Sequence, residues 1–148
     1  EDRGIGLLVA EGFLHARHQA AFSTATPWLP VKEPQLARNV AAQEGVAGSV
    51  LEFYRAMIAF RKATPALVSG RSCFLDLEEP VLGFLRDGGP DSVMCLFNLS
   101  HHPVSLTAKQ CTALTGPSHG ASLHGERVTL GPCGFAFLAA AANSTVVA

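Results

Sequence analysis

Acidic side chains and histidines are the residues of this sequence that could carry out acid–base or metal chemistry. Two carboxyl groups at one site can serve as a nucleophile and as a general acid or base. Glu52, however, follows Ser49 at the spacing of a helix-capping box, which indicates a structural role. The other candidates flank a turn or precede a proline: Glu78, Glu79, Asp87 and Asp91. We therefore expect no catalytic residue among these carboxylates.

Two pairs of histidines have spacings that could serve a metal ion. His101 and His102 are adjacent, and His15 and His18 lie at the i,i+3 spacing of a helix. Adjacent side chains of an extended segment point to opposite faces, and no third ligand follows closely in the sequence. A solvent-exposed turn therefore explains His101 and His102 better than a metal site does. We expect no metal ion and no cofactor.

The cysteines lack the close pairs that structural zinc sites and redox motifs use. Their spacings are 16 to 22 residues, and they are Cys73, Cys95, Cys111 and Cys133. Because small apolar cysteines are ordinary core residues, buried free thiols are favoured over disulfides.

Composition and charge restrict the partners of the chain. Eleven Lys and Arg face twelve Asp and Glu, so the net charge of −1 favours neither nucleic acid nor an anionic membrane surface as a partner. No apolar run has the roughly 18 to 20 residues of a membrane span, and no signal peptide is recognisable, which favours a cytoplasmic location. Asn98 and Asn143 begin N-glycosylation acceptor patterns, but we expect neither to be modified.

These residues are positioned by one predicted helix and a series of strands. An amphipathic helix is predicted over residues 49–63. Ser49 marks its beginning, and Pro65 prevents it from continuing. Before it, prolines predict an irregular, ordered loop over residues 22–48, which Trp28 anchors. After it, the apolar period changes towards 2. The predicted strands are Cys73–Leu77, Val81–Arg86, Ser92–Leu99, Val104–Leu106, Thr112–Leu114, Ser122–Leu123, Arg127–Leu130 and Gly134–Leu138.

The strand spacing is typical of an antiparallel β-sandwich, and Asp87-Gly88-Gly89 predicts a hairpin turn. The sequence thus predicts two units, a helical remnant over residues 1–66 and a β-domain over residues 67–142, followed by a tail over residues 143–148. Since the chain begins with Glu1 rather than Met, we expect a fragment or a processed product.

Three stretches, in this order, carry a resemblance to a known family. The first is Phe22-Ser23 followed by Pro27-Trp28-Leu29-Pro30-Val31, the second is Asn39-Val40-Ala41-Ala42-Gln43 followed by Ser49–Arg55 and Arg61–Leu67, and the third is Val93–Ser100. They resemble the segment after the eighth barrel strand, the last barrel helix and the central C-terminal strand of the oligo-α-glucosidases. These enzymes form part of the α-amylase superfamily, glycoside hydrolase family 13.

The resemblance implies a mainly β fold: an antiparallel β-sandwich C-terminal domain preceded by the last loop and last helix of a truncated (β/α)8 barrel. It also implies that the chain is the C-terminal part of a retaining α-glucosidase acting on terminal α-glucosidic bonds of oligosaccharides. The family's catalytic carboxylates lie upstream of the matched part, so the fragment alone should be inactive. Its expected partner is the missing N-terminal barrel, and oligosaccharide would bind only to the intact parent.

Other interpretations stay open. Residues 1–21 do not match the family, which a divergent loop or an out-of-frame start would explain. A free-standing carbohydrate-binding or interaction module would need an exposed aromatic platform on the sheet, whereas Trp28 and Tyr54 both precede the strands. A fragment that complements a separately encoded barrel is a third possibility. Trp28 and Phe22 could stack on a sugar ring, although anchoring of the loop is favoured for Trp28.

Overall fold

The structure, a computed structural model, describes residues 28–29 and 32–147. The chain divides into two compact units, Glu1–Arg55 and Ala56–Ala148. This division lies inside the predicted helix, eleven residues before the boundary predicted at residue 66, because the residues that follow it pack on the β-sheet of the second unit. The packing residues are Met57, Phe60, Ala66 and Leu67.

The predicted irregular loop over residues 22–48 is wrong for its described part, which contains two short helices. They are α1, Glu33–Ala37, and α2, Val40–Gln43. Pro34 lies in the first turn of α1, where a backbone N–H group makes no hydrogen bond within the helix. Asn39 caps α2, since its Oδ1 atom accepts a hydrogen bond of 2.9 Å from the backbone N–H of Ala42.

The predicted amphipathic helix is confirmed as α3, Val50–Ala63. Ser49 caps it, because Ser49 Oγ accepts a hydrogen bond of 3.3 Å from the backbone N–H of Glu52. Pro65 ends α3 as predicted, but it also begins a further helix, α4, Pro65–Ser69. A proline in the first turn supplies a suitable φ angle and loses no helical hydrogen bond, so one residue serves both purposes.

Six strands and a short 3-10 helix, Gly89–Asp91, follow in the second unit. The strands are β1 Arg71–Phe74, β2 Val81–Asp87, β3 Ser92–Asn98, β4 Val104–Leu114, β5 His119–His124 and β6 Arg127–Val147. The predicted strands Val104–Leu106 and Thr112–Leu114 form one long strand, β4. The predicted strands Arg127–Leu130 and Gly134–Leu138 likewise belong to one strand, β6. The interruptions are irregular positions within a strand, where Gln110 and Cys133 adopt positive φ angles of 59° and 50°.

The strands form one curled, mostly antiparallel sheet, which confirms the predicted fold class. Its order is β1-β2-β3-β6-β4, with β5 also paired to β6. The sheet curls because β4 pairs with two separate stretches of β6. Val104–Thr107 lies opposite residues 127–130, and residues 107–114 lie opposite residues 138–147.

The apolar core lies on both faces of β3. Met94 and Leu96 belong to a large buried cluster with residues of β4 and β6. Val93 and Cys95 point the other way, into a second cluster with Phe137 and the end of α3. The predicted tail over residues 143–148 is wrong for residues 143–147, which continue β6. The alternating burial of Ser144 and Val146 explains why the strand continues there.

Candidate functional site

Glu52 has a structural role, as predicted, although its contacts differ from those of a capping box. Its carboxylate accepts a hydrogen bond of 3.0 Å from the backbone N–H of Gly45 and contacts Arg55 at 2.8 Å. Arg55 also binds Glu44 at 3.1 Å. The hydrogen bond that Arg55 donates to Glu44 and the charge of Glu52 raise the pKa of Arg55. The carboxylate of Glu52 is therefore engaged in an ionic cluster of the first unit.

The remaining acidic candidates lie in turns. Asp87 ends β2, and its Oδ1 atom accepts a hydrogen bond of 3.3 Å from the backbone N–H of Gly89. Its other oxygen lies 3.8 Å from Arg71. Asp91 ends the 3-10 helix Gly89–Asp91, and the exposed residues Glu78 and Glu79 precede Pro80. That these carboxylates are not catalytic stays a prediction, supported by the local contacts of Glu52 and Asp87.

His101 and His102 lie in an exposed turn between β3 and β4, as predicted. Across residues 28–29 and 32–147, no group of three or more His, Cys, Asp and Glu side chains is arranged to hold a metal ion. His15 and His18 lie outside the described residues. His101 nevertheless has a contact that spacing could not reveal, because its Nδ1 atom lies 3.6 Å from Sγ of Cys133, 32 positions away.

Asn98 determines how the loops that carry His101 and Cys133 meet. This asparagine is 2% exposed, and its Nδ2 atom donates hydrogen bonds to the carbonyl oxygens of His102 at 2.7 Å and Gly131 at 2.8 Å. Its Oδ1 atom accepts from the backbone N–H of Ser100 at 3.0 Å. Because the side-chain amide is buried and engaged on both sides, the structure supports the expectation that Asn98 is not glycosylated.

The cysteines are free thiols, as predicted, but they are not all buried. Burial raises the pKa of Cys95 to about 12, against a smaller opposing effect of Arg86. Burial also raises the pKa of Cys111, and a side-chain hydrogen bond with Ser144 opposes this effect in part. Cys73 is intermediate, and Cys133 is exposed. The prediction was wrong for Cys133 because its backbone departs from the sheet between two paired stretches of β6.

One face of the sheet carries a row of aromatic rings that crosses five strands. We call this set the aromatic row: Phe74, Phe84, Phe97, Phe135 and His119. Successive ring centroids are 5.6, 5.9, 6.1 and 6.4 Å apart. Phe74 at its end is 73% exposed. Large apolar side chains on a surface mark sites of interaction when they are contiguous.

The aromatic row continues into the contact between the sheet and α3. Phe97 contacts Phe137 at 6.1 Å, and Phe137 contacts Phe60 of α3 at 5.1 Å. One end of this apolar face is therefore already covered by the helix, while Phe74 at the other end is open.

The aromatic residues of the first matched stretch are only partly described. Trp28 is 90% exposed, so no contact among the described residues supports its predicted role as an anchor of the loop. Phe22 lies outside the described residues. Among the described residues, no helix combines the length and apolar character needed to cross a membrane.

Comparisons with known proteins agree with the resemblance carried by the motifs. No family model matches the chain. The chain is 46% identical over 101 residues to a probable α-glucosidase of Rhizobium meliloti (strain 1021), a match that covers 67% of this chain and 18% of the relative. It is 32% identical over 82 residues to a probable oligo-1,6-glucosidase 2 of Bacillus subtilis (strain 168), covering 55% of this chain and 15% of the relative.

A solved structure shows the same architecture. The α-glucosyl transfer enzyme XgtA is 30% identical and superposes with a TM-score of 0.71, over 85% of this chain and 24% of the enzyme. The chain therefore spans less than a quarter of the length of the proteins that it matches. Sequence and structure together show that the chain belongs to the α-amylase superfamily, glycoside hydrolase family 13, and is homologous to a part of its α-glucosidases.

Proposed function

We propose that the chain is the C-terminal part of a retaining α-glucosidase that hydrolyses terminal α-glucosidic bonds of oligosaccharides. The observation that carries this proposal is the 46% identity over 101 residues to the probable α-glucosidase of Rhizobium meliloti. Retaining hydrolysis needs two carboxyl groups about 5 to 5.5 Å apart. Because Glu52 and Asp87 are committed to local contacts, we assign the catalytic carboxylates to the N-terminal part of the protein.

The role of the chain in such an enzyme is to support the catalytic barrel. The second half of α3 packs on the sheet through Phe60 and Phe137. Ile58, on the same helix, is 51% exposed, and the open end of the aromatic row lies on the same apolar sheet face. Exposed apolar side chains that continue an existing contact suit a second packed layer. The proposed partner of both is the N-terminal barrel of the same protein.

Activity of a chimaera tests the assignment. The corresponding 101 residues of the Rhizobium meliloti relative would be replaced by those of this chain, and hydrolysis of an aryl α-glucoside would be measured. We expect turnover within about tenfold of the parent enzyme, because the catalytic groups are retained, and no turnover by the 148-residue chain alone. Turnover by this chain alone, or a folded chimaera without activity, would contradict the proposal.

Packing of the barrel on the aromatic row has a separate test. Phe74→Ser should lower the melting temperature of the chimaera more than that of the 148-residue chain, because only the chimaera contains the proposed partner surface. Leu99→Ser is the matched control, since Leu99 is 69% exposed and lies outside the row. Equal effects of Phe74→Ser in both proteins would exclude the row as the contact surface.

Glucosyl transfer is a second candidate activity, which the similarity to the α-glucosyl transfer enzyme XgtA favours. The two activities share the covalent intermediate and differ in the acceptor, water or a sugar hydroxyl. Product analysis of the active chimaera would be uninformative here, because its acceptor site belongs to the barrel of the Rhizobium meliloti relative. The parent protein incubated with maltose decides: glucose alone indicates hydrolysis, and longer or isomeric saccharides indicate transfer.

A free-standing carbohydrate-binding module remains the alternative from another class. The aromatic row is the surface that could serve it, because aromatic faces suit the apolar faces of sugar rings. Calorimetric titration of the 148-residue chain with maltotriose should show no binding if the row contacts protein instead. The cytoplasmic location stays a prediction, which fractionation of the source cells would test.

A further inference from the structure

Cys133 differs from the other described cysteines in its access to solvent. Cys95 and Cys111 lie in the two apolar clusters, where burial disfavours the thiolate, the form that reacts. Cys73 is partly covered within β1. Cys133 is exposed and follows Pro132 in the irregular segment of β6. A reagent in solution can therefore reach its sulfur atom without unfolding the sheet.

An imidazole lies beside this thiol. Nδ1 of His101 is 3.6 Å from Sγ of Cys133, within the hydrogen-bond range of sulfur. An imidazole nitrogen at this distance can accept the thiol proton as the sulfur attacks. The pair thus combines a nucleophile with a base, an arrangement that a cysteine without a titratable neighbour lacks.

The loops that carry the two side chains are fixed to each other. The backbone N–H of Cys133 donates a hydrogen bond of 2.8 Å to the carbonyl oxygen of Ser100, the residue before His101. Asn98 binds both loops through the carbonyl oxygens of His102 and Gly131. These contacts therefore hold the backbone of His101 close to that of Cys133.

We propose that Cys133, assisted by His101, is a site of modification by low-molecular-weight disulfides. His101 takes the proton of the thiol, and the thiolate attacks one sulfur atom of the disulfide. A bond forms between this sulfur and Sγ of Cys133 while the original S–S bond breaks. The second sulfur leaves as a thiolate and takes up the proton from the imidazolium of His101 or from water. No other oxidant is required.

Reaction with 5,5′-dithiobis(2-nitrobenzoate) at neutral pH tests this proposal on the folded 148-residue chain. We expect one fast-reacting thiol, and Cys133→Ser should abolish the fast phase. His101→Gln should slow it by about tenfold, because the base is lost. His102→Gln is the matched control, since it changes the neighbouring histidine of the same turn, and it should leave the rate unchanged.

Two further measurements separate activation from accessibility. In urea, His101→Gln and the unchanged chain should react at equal rates, because the pair exists only in the folded protein. Peptide mapping after incubation with oxidised glutathione should find the adduct on Cys133. Fast labelling of Cys73 instead, or equal rates for His101→Gln and His102→Gln in the folded chain, would overturn the proposal.

Discussion

Asn98 shows what a single buried amide contributes to the second unit. It ends β3, and its hydrogen bonds join the turn after β3 to the irregular segment of β6. The sequence placed this residue in a predicted strand and at the first position of a glycosylation pattern, neither of which indicates its contacts. Its structural role could not be predicted, because the carbonyl of Gly131 that it binds lies 33 positions away.

Replacement of Asn98 by Leu should destabilise the chain by about 2 to 4 kcal/mol. The change leaves partly buried carbonyl groups without their donor, and fully buried groups in that state cost about 1 to 3 kcal/mol each. Ser105→Ala serves as the control, because Ser105 is exposed and should change stability by less than about 0.5 kcal/mol. Urea unfolding followed by circular dichroism measures both. Equal effects of the two changes would contradict the role assigned to Asn98.

Cys95 makes stability depend on pH above neutrality. Its pKa is raised by burial to about 12 from 9.0, so the folded state holds the proton over a range in which the unfolded state loses it. The contribution to stability is complete below pH 9 and is lost as the pH rises towards 12, with a slope of up to about 1.4 kcal/mol per pH unit. Cys95→Ala should make the decline in unfolding free energy over this range shallower, and an unchanged slope would refute the assignment.

At the scale of elements, the helices show which signals in the sequence suffice. Helix α3 was predicted within a residue at each end, because its cap, its apolar period and Pro65 agree. Helices α1, α2 and α4 were missed, since four or five residues are too few for a period to be visible. Short helices are determined by caps and by their packing, which a pattern in the sequence does not contain.

Phe60 is one of the residues through which α3 packs on the sheet. Phe60→Ala should lower the free energy of unfolding by about 2 to 4 kcal/mol, because it removes the ring that packs against Phe137 at 5.1 Å. Ile58→Ala is the matched control on the same helix, as Ile58 is 51% exposed, and it should cost less than about 1 kcal/mol. Guanidinium unfolding measures the free energy of unfolding of both variants. A larger loss for Ile58→Ala than for Phe60→Ala would contradict the packing of the Phe60 face of α3 on the sheet.

The long strand β6 was predicted as two separate strands. Glycine and proline at Gly131 and Pro132 predicted two strands, whereas β6 passes through them as one irregular strand. The sheet tolerates this segment because partners on both sides hold the flanking residues, Leu130 opposite Val104 and Phe135 opposite Phe97. Pairing between distant strands thus overrode a local signal, and the same irregular segment exposes Cys133.

For the whole molecule, the order of the three matched motifs predicted family and fold class together, and the comparisons confirm both. The periodicity independently predicted strands throughout the second half. What the sequence did not reveal was the curling of the sheet, because the pairing of Thr107 with both Arg127 and Val147 joins residues that share no local pattern. The predicted tail was wrong for the same reason.

Removal of residues 143–148 should therefore unfold much of the second unit. The deletion takes away Val146, which is 7% exposed, and the pairing of β6 with residues 107–109 of β4. We expect the melting temperature to fall by at least about 10 °C, or the cooperative transition to disappear. The control is a triple variant that changes exposed positions only, Asn143→Ser, Thr145→Ser and Val147→Thr. It should shift the melting temperature by only a few degrees. A deletion as mild as this control would restore the interpretation of these residues as a tail.

The double pairing of β4 also has a consequence for protein synthesis. A ribosome completes β4 before it begins β6. The backbone donors and acceptors of β4 that pair with β6 therefore stay unpaired until β6 has been synthesised. Unpaired strand edges and exposed apolar residues are what incomplete chains aggregate through. The pairing of β4 with residues 145–147 can form only after Val147 has left the exit tunnel. Until then the edges of β4 need protection, by chaperones or by the proposed N-terminal barrel.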